Sequence, residues 1–88
     1  MRSAGEWYTL RDVSGILGLT VPRTIEWLGE IGWILRTGMP YWGFMAIGDA
    51  RRKGWAHTYQ DAGEHASYVL IGPEGIGRLQ AMLPPPPA

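Results

Sequence analysis

Cysteine is absent from the 88 residues, and histidine occurs only at His57 and His65. Without thiols the chain can form neither a disulfide nor a zinc site of the Cys/His type. We therefore expect a fold that is held together by its apolar core, with no metal site and no cofactor.

Charge is also sparse. Charged residues make up 18% of the chain, and eight Lys and Arg balance eight Asp and Glu, so the formal net charge is zero. This balance excludes a globally basic nucleic-acid coat, but it does not exclude a local basic patch. No apolar run approaches the roughly 20 residues of a membrane span, and the N-terminus does not resemble a signal peptide. We expect a cytoplasmic protein in its host cell, without a membrane partner.

Apolar residues are plentiful, at 45% of the chain with five tryptophans, which indicates a folded protein. The length suits one domain, which we place at residues 1–83, followed by a proline-rich tail at 84–88 that should form polyproline II. Because so small a core cannot easily cover every aromatic ring, a homodimer is one way to bury the surplus.

Helix boundaries are marked at the start of the chain. Thr9 begins a Thr-x-x-acid pattern that is typical of a helix N-terminus, and Gly18 can end that helix in a left-handed conformation. Thr20 and Pro22 then begin a second helix that runs to about Glu30. The predicted buried faces are Leu10, Val13, Ile16 and Leu17 in the first helix, and Val21, Ile25, Trp27 and Leu28 in the second. The short connection predicts a helix-turn-helix.

The rest of the chain alternates between aromatic or β-branched runs and turn residues. We predict hairpin strands at 33–36 and 41–44, a weak helix at 45–53, hairpin strands at 55–59 and 67–71, and a last helix from Pro73 with Ile76, Leu79, Met82 and Leu83 on one side. This order predicts an α+β fold: a small winged helix-turn-helix-like domain with two N-terminal helices, short β-hairpins and a C-terminal helix.

No residue set in the chain suits catalysis. His57 and His65 flank a loop with Asp61 and Glu64, but their spacing matches no metal or acid/base motif. The glycines at 72–77 do not form a phosphate-binding loop. We therefore predict no catalytic, cofactor-binding or metal-ligating residue, and a protein that is not an enzyme.

Binding residues are sought among the aromatic and basic side chains. Trp and Tyr are enriched at binding hot spots, so we predict partner contacts at Trp42, Trp55, Tyr41 and Tyr59, although the same rings could instead fill the core. Contacts to nucleic acid or to an acidic partner would fall to Arg51, Arg52, Lys53 and Arg23, although a run of three cations also suits a solvated surface.

The second helix argues against DNA reading. Its exposed positions include one cation, Arg23, against the two carboxylates of Glu26 and Glu30. Phosphates would be repelled about as strongly as they are attracted. Protein binding is therefore favoured over DNA binding.

Several short motifs occur in a characteristic order. They are Leu17-Gly18-Leu19-Thr20, Glu30-Ile31-Gly32-Trp33, Arg36-Thr37-Gly38 before Tyr41-Trp42, Lys53-Gly54-Trp55, and Pro73-Glu74-Gly75. From about residue 8 to residue 83 the chain thereby resembles the C-terminal domain of phage antirepressor proteins, the KilA-C family.

That resemblance implies a phage or prophage protein with a winged-helix-like fold. Antirepressors bind a phage repressor and release it from DNA, and the domain is also described as DNA-binding. We expect a non-enzymatic module that binds a repressor or a host defence or regulatory complex, including inhibition of the anti-CRISPR type. The alternative is a DNA-binding winged-helix transcriptional regulator.

Overall fold

The first two helices begin and end where the sequence predicts. The computed structural model describes residues 6–84, with α1 at Leu10–Leu17 and α2 at Val21–Glu30. The Thr9 hydroxyl accepts a hydrogen bond from the Asp12 N–H at 3.1 Å, and the Asp12 carboxylate accepts one from the Thr9 N–H at 3.2 Å. Gly18 ends α1 with φ at +73°. These local caps satisfy backbone groups that a helix end leaves unpaired.

The buried faces of the two helices are confirmed in part. Val13, Leu17, Trp27 and Leu28 are buried, and Leu10, Val21 and Ile25 are half-buried. Ile16 was expected in the core and is 41% exposed, so that prediction is wrong. In α2 the polar Thr24 is fully buried as well, and its hydroxyl is satisfied because it donates to the Thr20 carbonyl at 2.8 Å.

Both predicted hairpins are present, and they form one mixed sheet. The remaining elements are β1 (Ile34–Thr37), β2 (Trp42–Ala46), α3 (Gly48–Arg52), β3 (Ala56–Asp61), β4 (Ala66–Ile71) and α4 (Pro73–Met82). The sheet order is β1-β2-β4-β3, in which β1 with β2 and β3 with β4 are antiparallel. The described part of the chain is therefore an α+β domain with four helices and a four-stranded mixed sheet.

The weak helix expected at 45–53 is shorter than predicted. Met45 and Ala46 belong to β2, where they lie opposite Leu35 and Ile34. Helix α3 covers only Gly48–Arg52. The helical pattern failed because cross-strand pairing and the complete burial of Ala46 hold this segment extended.

The two hairpins are joined by a short parallel contact between β2 and β4. Trp42 lies opposite Ala66 and Gly43 lies opposite Ser67, after which the ladder stops. Gly43 has φ at +141°, and a Cβ atom there would lie 2.0 Å from the Ser67 carbonyl oxygen. Only glycine permits so close a crossing of two strands.

Beyond Gly43, side chains rather than a backbone ladder hold β2 over the second hairpin. The Ser67 hydroxyl donates to the Phe44 carbonyl at 2.7 Å. The Ala46 N–H donates to the Thr58 hydroxyl at 2.8 Å. Strand β2 therefore leaves the edge of β4 and passes toward β3.

The core lies between the helices and the sheet. Its buried members are Val13, Leu17, Trp27, Leu28, Trp33, Ile34, Ala46, Ala50, Trp55, Ala56, Val69, Ile71, Ile76 and Leu79. The Trp33 and Trp55 rings lie 5.4 Å apart between centroids. Three of the five tryptophans, Trp27, Trp33 and Trp55, thus fill the core.

The last helix has a mixed outcome. Its start at Pro73 and the burial of Ile76 and Leu79 are confirmed. Met82 is 42% exposed, and Leu83 follows the helix as its half-buried C-cap. The polyproline conformation was predicted for the tail at 84–88, of which residues 85–88 lie outside the described residues.

Candidate functional site

Three exposed aromatic side chains share one face of the sheet. Residues that are opposite in a ladder share a face, as do alternate residues of one strand. Trp42 lies opposite Ala66, Tyr68 is two residues further along β4, and Tyr59 lies opposite Tyr68. Trp42, Tyr59 and Tyr68 are 61%, 53% and 44% exposed. We call these three residues the aromatic face.

The two tyrosines of the aromatic face are held in place. Their rings stack with centroids 6.2 Å apart. The Tyr68 hydroxyl donates to the Glu64 carboxylate at 2.5 Å, and this hydrogen bond raises the pKa of Tyr68 above its ordinary value. The stacking and the hydrogen bond to Glu64 therefore present an ordered pair of rings to solvent.

An apolar groove adjoins this pair. It has a volume of about 640 Å³ and lies between β4, Phe44 and the start of α1. Its lining is Thr9, Leu10, Arg11, Phe44, Tyr59, Ser67, Tyr68, Val69 and Leu70. The volume falls in the usual range of binding pockets, and the groove shares Tyr59 and Tyr68 with the aromatic face. Groove and face therefore form one continuous surface.

Two guanidinium groups lie at or beside the groove. Arg11 lines it directly, and the Arg36 guanidinium lies 5.0 Å from the centre of the Phe44 ring. Both residues are exposed, and neither has an ion-pair partner within residues 6–84. The groove is thus apolar inside and positively charged where Arg11 and Arg36 lie.

The structure brings together two of the four predicted partner contacts. Trp42 and Tyr59 both lie on the aromatic face. Tyr41 is half-buried and stacks on His65, with 6.5 Å between ring centroids, where the tips of the two hairpins meet.

Trp55 was predicted to be exposed, but it is buried. It is only 9% exposed, because it precedes β3 and packs on Trp33. The Lys53 ammonium and the Arg78 guanidinium lie over its ring, at 5.3 Å and 4.7 Å from the centroid. The prediction that Trp55 offers an exposed ring to a partner is therefore wrong.

The four basic residues that were predicted as contacts lie on two different helices or next to them and have different partners. Arg51, Arg52 and Lys53 are exposed on or just after α3, where Arg52 forms an ion pair with Asp49. Arg23 lies on α2. Its guanidinium contacts two carboxylates of its own helix, those of Glu26 at 2.6 Å and Glu30 at 3.5 Å. Helix α2 therefore presents paired charges instead of a free cation.

The histidines occupy separate surroundings. The His57 ring lies 4.4 Å from the Trp7 ring, and His65 is exposed in the turn between β3 and β4. Within the described part of the chain, no group of three His, Asp or Glu residues is placed to hold a metal ion. The predicted lack of catalytic, cofactor and metal residues stays a prediction.

Sequence reasoning missed part of this surface. Tyr68 could have been found, because it falls in a predicted hairpin strand opposite a selected tyrosine. Leu10, Arg11 and Phe44 carried no such signal, because the groove forms only when α1 and β2 meet β4.

Comparison with known proteins gives no match to a family model, to a curated protein or to a solved structure. Residues 6–84 form a small α+β domain with four helices and a four-stranded mixed sheet. No helix within residues 6–84 is long and apolar enough to cross a membrane.

Proposed function

We propose that this protein is a non-enzymatic binding module of the antirepressor type, with a winged-helix-like fold. It acts in the host cytoplasm by binding a repressor or a host defence or regulatory complex, as an inhibitor of the anti-CRISPR type would. The observation that carries the proposal is the continuous surface made by the aromatic face and the groove.

Physical chemistry supports a protein partner for this surface. Exposed apolar patches on small proteins mark sites of interaction, and Trp and Tyr provide large contact areas at low entropic cost. Because Tyr59 and Tyr68 are already stacked, their side chains lose little conformational entropy when a partner binds.

Capture from lysates of the host and of phage-infected cells tests the proposal. The bait is the whole chain, compared with its Trp42→Ala and Tyr59→Ala variants. Loss of a hot-spot ring costs roughly 2 kcal/mol or more of binding energy, so we expect both variants to lose a stoichiometric partner.

Leu35→Ala is the matched control. Leu35 is 56% exposed but lies on β1, away from the aromatic face, so this variant should retain the partner. Full capture by both the Trp42 and the Tyr59 variants would refute the proposal.

DNA binding is the second candidate, favoured by the exposed Arg51, Arg52 and Lys53. It predicts a gel shift of random duplex DNA that weakens steeply with salt and is lost when all three residues become Ala. A shift that does not respond to salt, or no shift, would reject it. The carboxylates that surround Arg23 on α2 count against it.

A further inference from the structure

One edge of β4 has no strand partner at Val69. In a strand, alternate residues direct their backbone N–H and C=O groups to the same edge. At this edge Ser67 adjoins β2, and Ile71 exchanges two hydrogen bonds of 2.8 Å with Tyr8. Val69 lies between them, and the register gives it no strand partner there.

The position is open because β2 leaves the edge. In a continued parallel ladder, the Phe44 carbonyl would accept from the Val69 N–H. That carbonyl instead accepts from the Ser67 hydroxyl at 2.7 Å. The gap from Ser67 to Ile71 spans four residues, which is roughly 13 Å of extended chain.

The apolar groove lies at this gap, since Ser67, Val69 and Leu70 are among its lining residues. Phe44 of β2 and Leu10 of α1 also line the groove. A peptide residue that pairs with Val69, as Tyr8 pairs with Ile71, would place its side chain among apolar groups. Strand addition of this kind takes affinity from the backbone and specificity from such pockets.

The charge of the groove indicates the composition of the peptide. Arg11 and Arg36 lack carboxylate partners in the described chain, as noted above, and guanidinium groups favour carboxylates. An acidic segment fits better than a neutral or basic one.

We infer that the groove takes a short, extended acidic peptide of a partner protein, which adds to the edge of β4 at Val69 and inserts an apolar side chain beside Phe44. This inference rests on the proposed function and specifies how that function is carried out.

Selection from a display library of random short peptides, with the whole protein as target, is the test. We expect enriched peptides that carry Asp or Glu next to a large apolar residue. Titration with an enriched synthetic peptide should shift the amide resonance of Val69 in the nuclear magnetic resonance spectrum. Methylation of the peptide nitrogen that pairs with Val69 should weaken binding roughly tenfold, because it leaves a backbone acceptor unpaired.

A pair of charge reversals provides the matched comparison. Arg11→Glu should weaken binding of the acidic peptide roughly tenfold by repulsion, and it should fold, since a carboxylate in the first turn of α1 suits the helix dipole. Arg51→Glu reverses an exposed charge on α3, outside the groove, and should bind like the wild type.

Several results would overturn the inference. One is the absence of enriched peptides. Another is a peptide affinity that neither backbone methylation nor Arg11→Glu changes. Protection of the Val69 amide from exchange in the free protein would also overturn it. Such protection would mean that the edge of β4 is already occupied by the chain itself, or by a second copy of the chain if the protection rises with protein concentration. Lysate capture that still requires Trp42 and Tyr59 would then leave the proposed function standing.

Discussion

At the scale of single residues, burial separates side chains of the same type. Trp42 is the first residue of β2, Trp55 immediately precedes β3, and the sequence assigned both to a binding surface. Trp42 is 61% exposed, whereas Trp55 is 9% exposed and packs on Trp33. One tryptophan is thus available to a partner, and the other stabilises the fold.

Alanine substitution should show this difference in the free energy of unfolding. Trp55→Ala should lower it by about 3–5 kcal/mol, because a buried aromatic ring is lost and a cavity remains. Trp42→Ala should change it by less than about 1 kcal/mol. Denaturant titration of both variants measures the two values, and equal losses would contradict the assigned burial.

The hydrogen bond from Tyr68 to Glu64 gives a testable titration. It raises the pKa of Tyr68 above 10.0, so the folded state favours the protonated phenol. Its stabilising effect is fully present below the unfolded pKa and is lost as the pH rises through the folded pKa.

Glu64→Gln should bring the pKa of Tyr68 down toward the ordinary tyrosine value, because the charged acceptor is removed. Titration of isotope-labelled tyrosine rings by nuclear magnetic resonance follows the change, with Tyr68→Phe to assign the signal. A pKa of Tyr68 that is the same in both proteins would contradict this cause.

At the scale of secondary-structure elements, the crossing of β2 over β4 decides how the hairpins combine. Gly43 makes the crossing possible because the Ser67 carbonyl occupies the space that a side chain would need. The same crossing takes β2 away from the edge at Val69 and so leaves the groove beside β4 open.

Gly43→Ala should destabilise the protein strongly. The positive φ alone costs about 1–3 kcal/mol for a residue with a side chain, and the Cβ clash adds to it. Gly77→Ala is the control: its Cβ would meet nothing within 4 Å inside α4, so it should raise the free energy of unfolding by up to about 1 kcal/mol. Thermal unfolding compares the two variants, and a Gly43 variant as stable as the wild type would refute the close crossing.

Local signals made much of this organisation predictable. The caps at Thr9 and Thr20 act within one helical turn, so they mark α1 and α2 correctly. The hairpins follow from runs of strand-forming residues around turns. The parallel contact of β2 with β4 was not predictable in this way, because it joins residues more than twenty positions apart and depends on the crossing at Gly43. The groove depends on that contact, which is why only its tyrosines could be anticipated.

At the scale of the whole molecule, charge contributes little to folding. The chain has zero formal net charge. The ion pairs of Arg52 with Asp49 and of Arg78 with Glu74 are exposed, and those of Arg23 join a half-buried cation to exposed carboxylates. Exposed pairs of this kind contribute about 0–1 kcal/mol each and are screened by salt. The apolar core must therefore supply most of the stability.

Salt should consequently have little effect on stability. Between low and physiological salt, the free energy of unfolding should change by less than about 1 kcal/mol. Denaturant titrations at the two salt concentrations measure the difference. A steep loss with salt would indicate that ion pairs hold the fold.

The two neighbouring indoles of the core, Trp33 and Trp55, have a spectroscopic consequence. Trp33 immediately precedes β1 and Trp55 immediately precedes β3, the two outer strands of the sheet, and their ring centres are 5.4 Å apart. At this separation the electronic transitions of the two rings should couple, so we expect an exciton signal in the circular dichroism spectrum of the folded chain. This signal should disappear when the first residues of β1 and β3 move apart. It would therefore report assembly of the sheet without any added label.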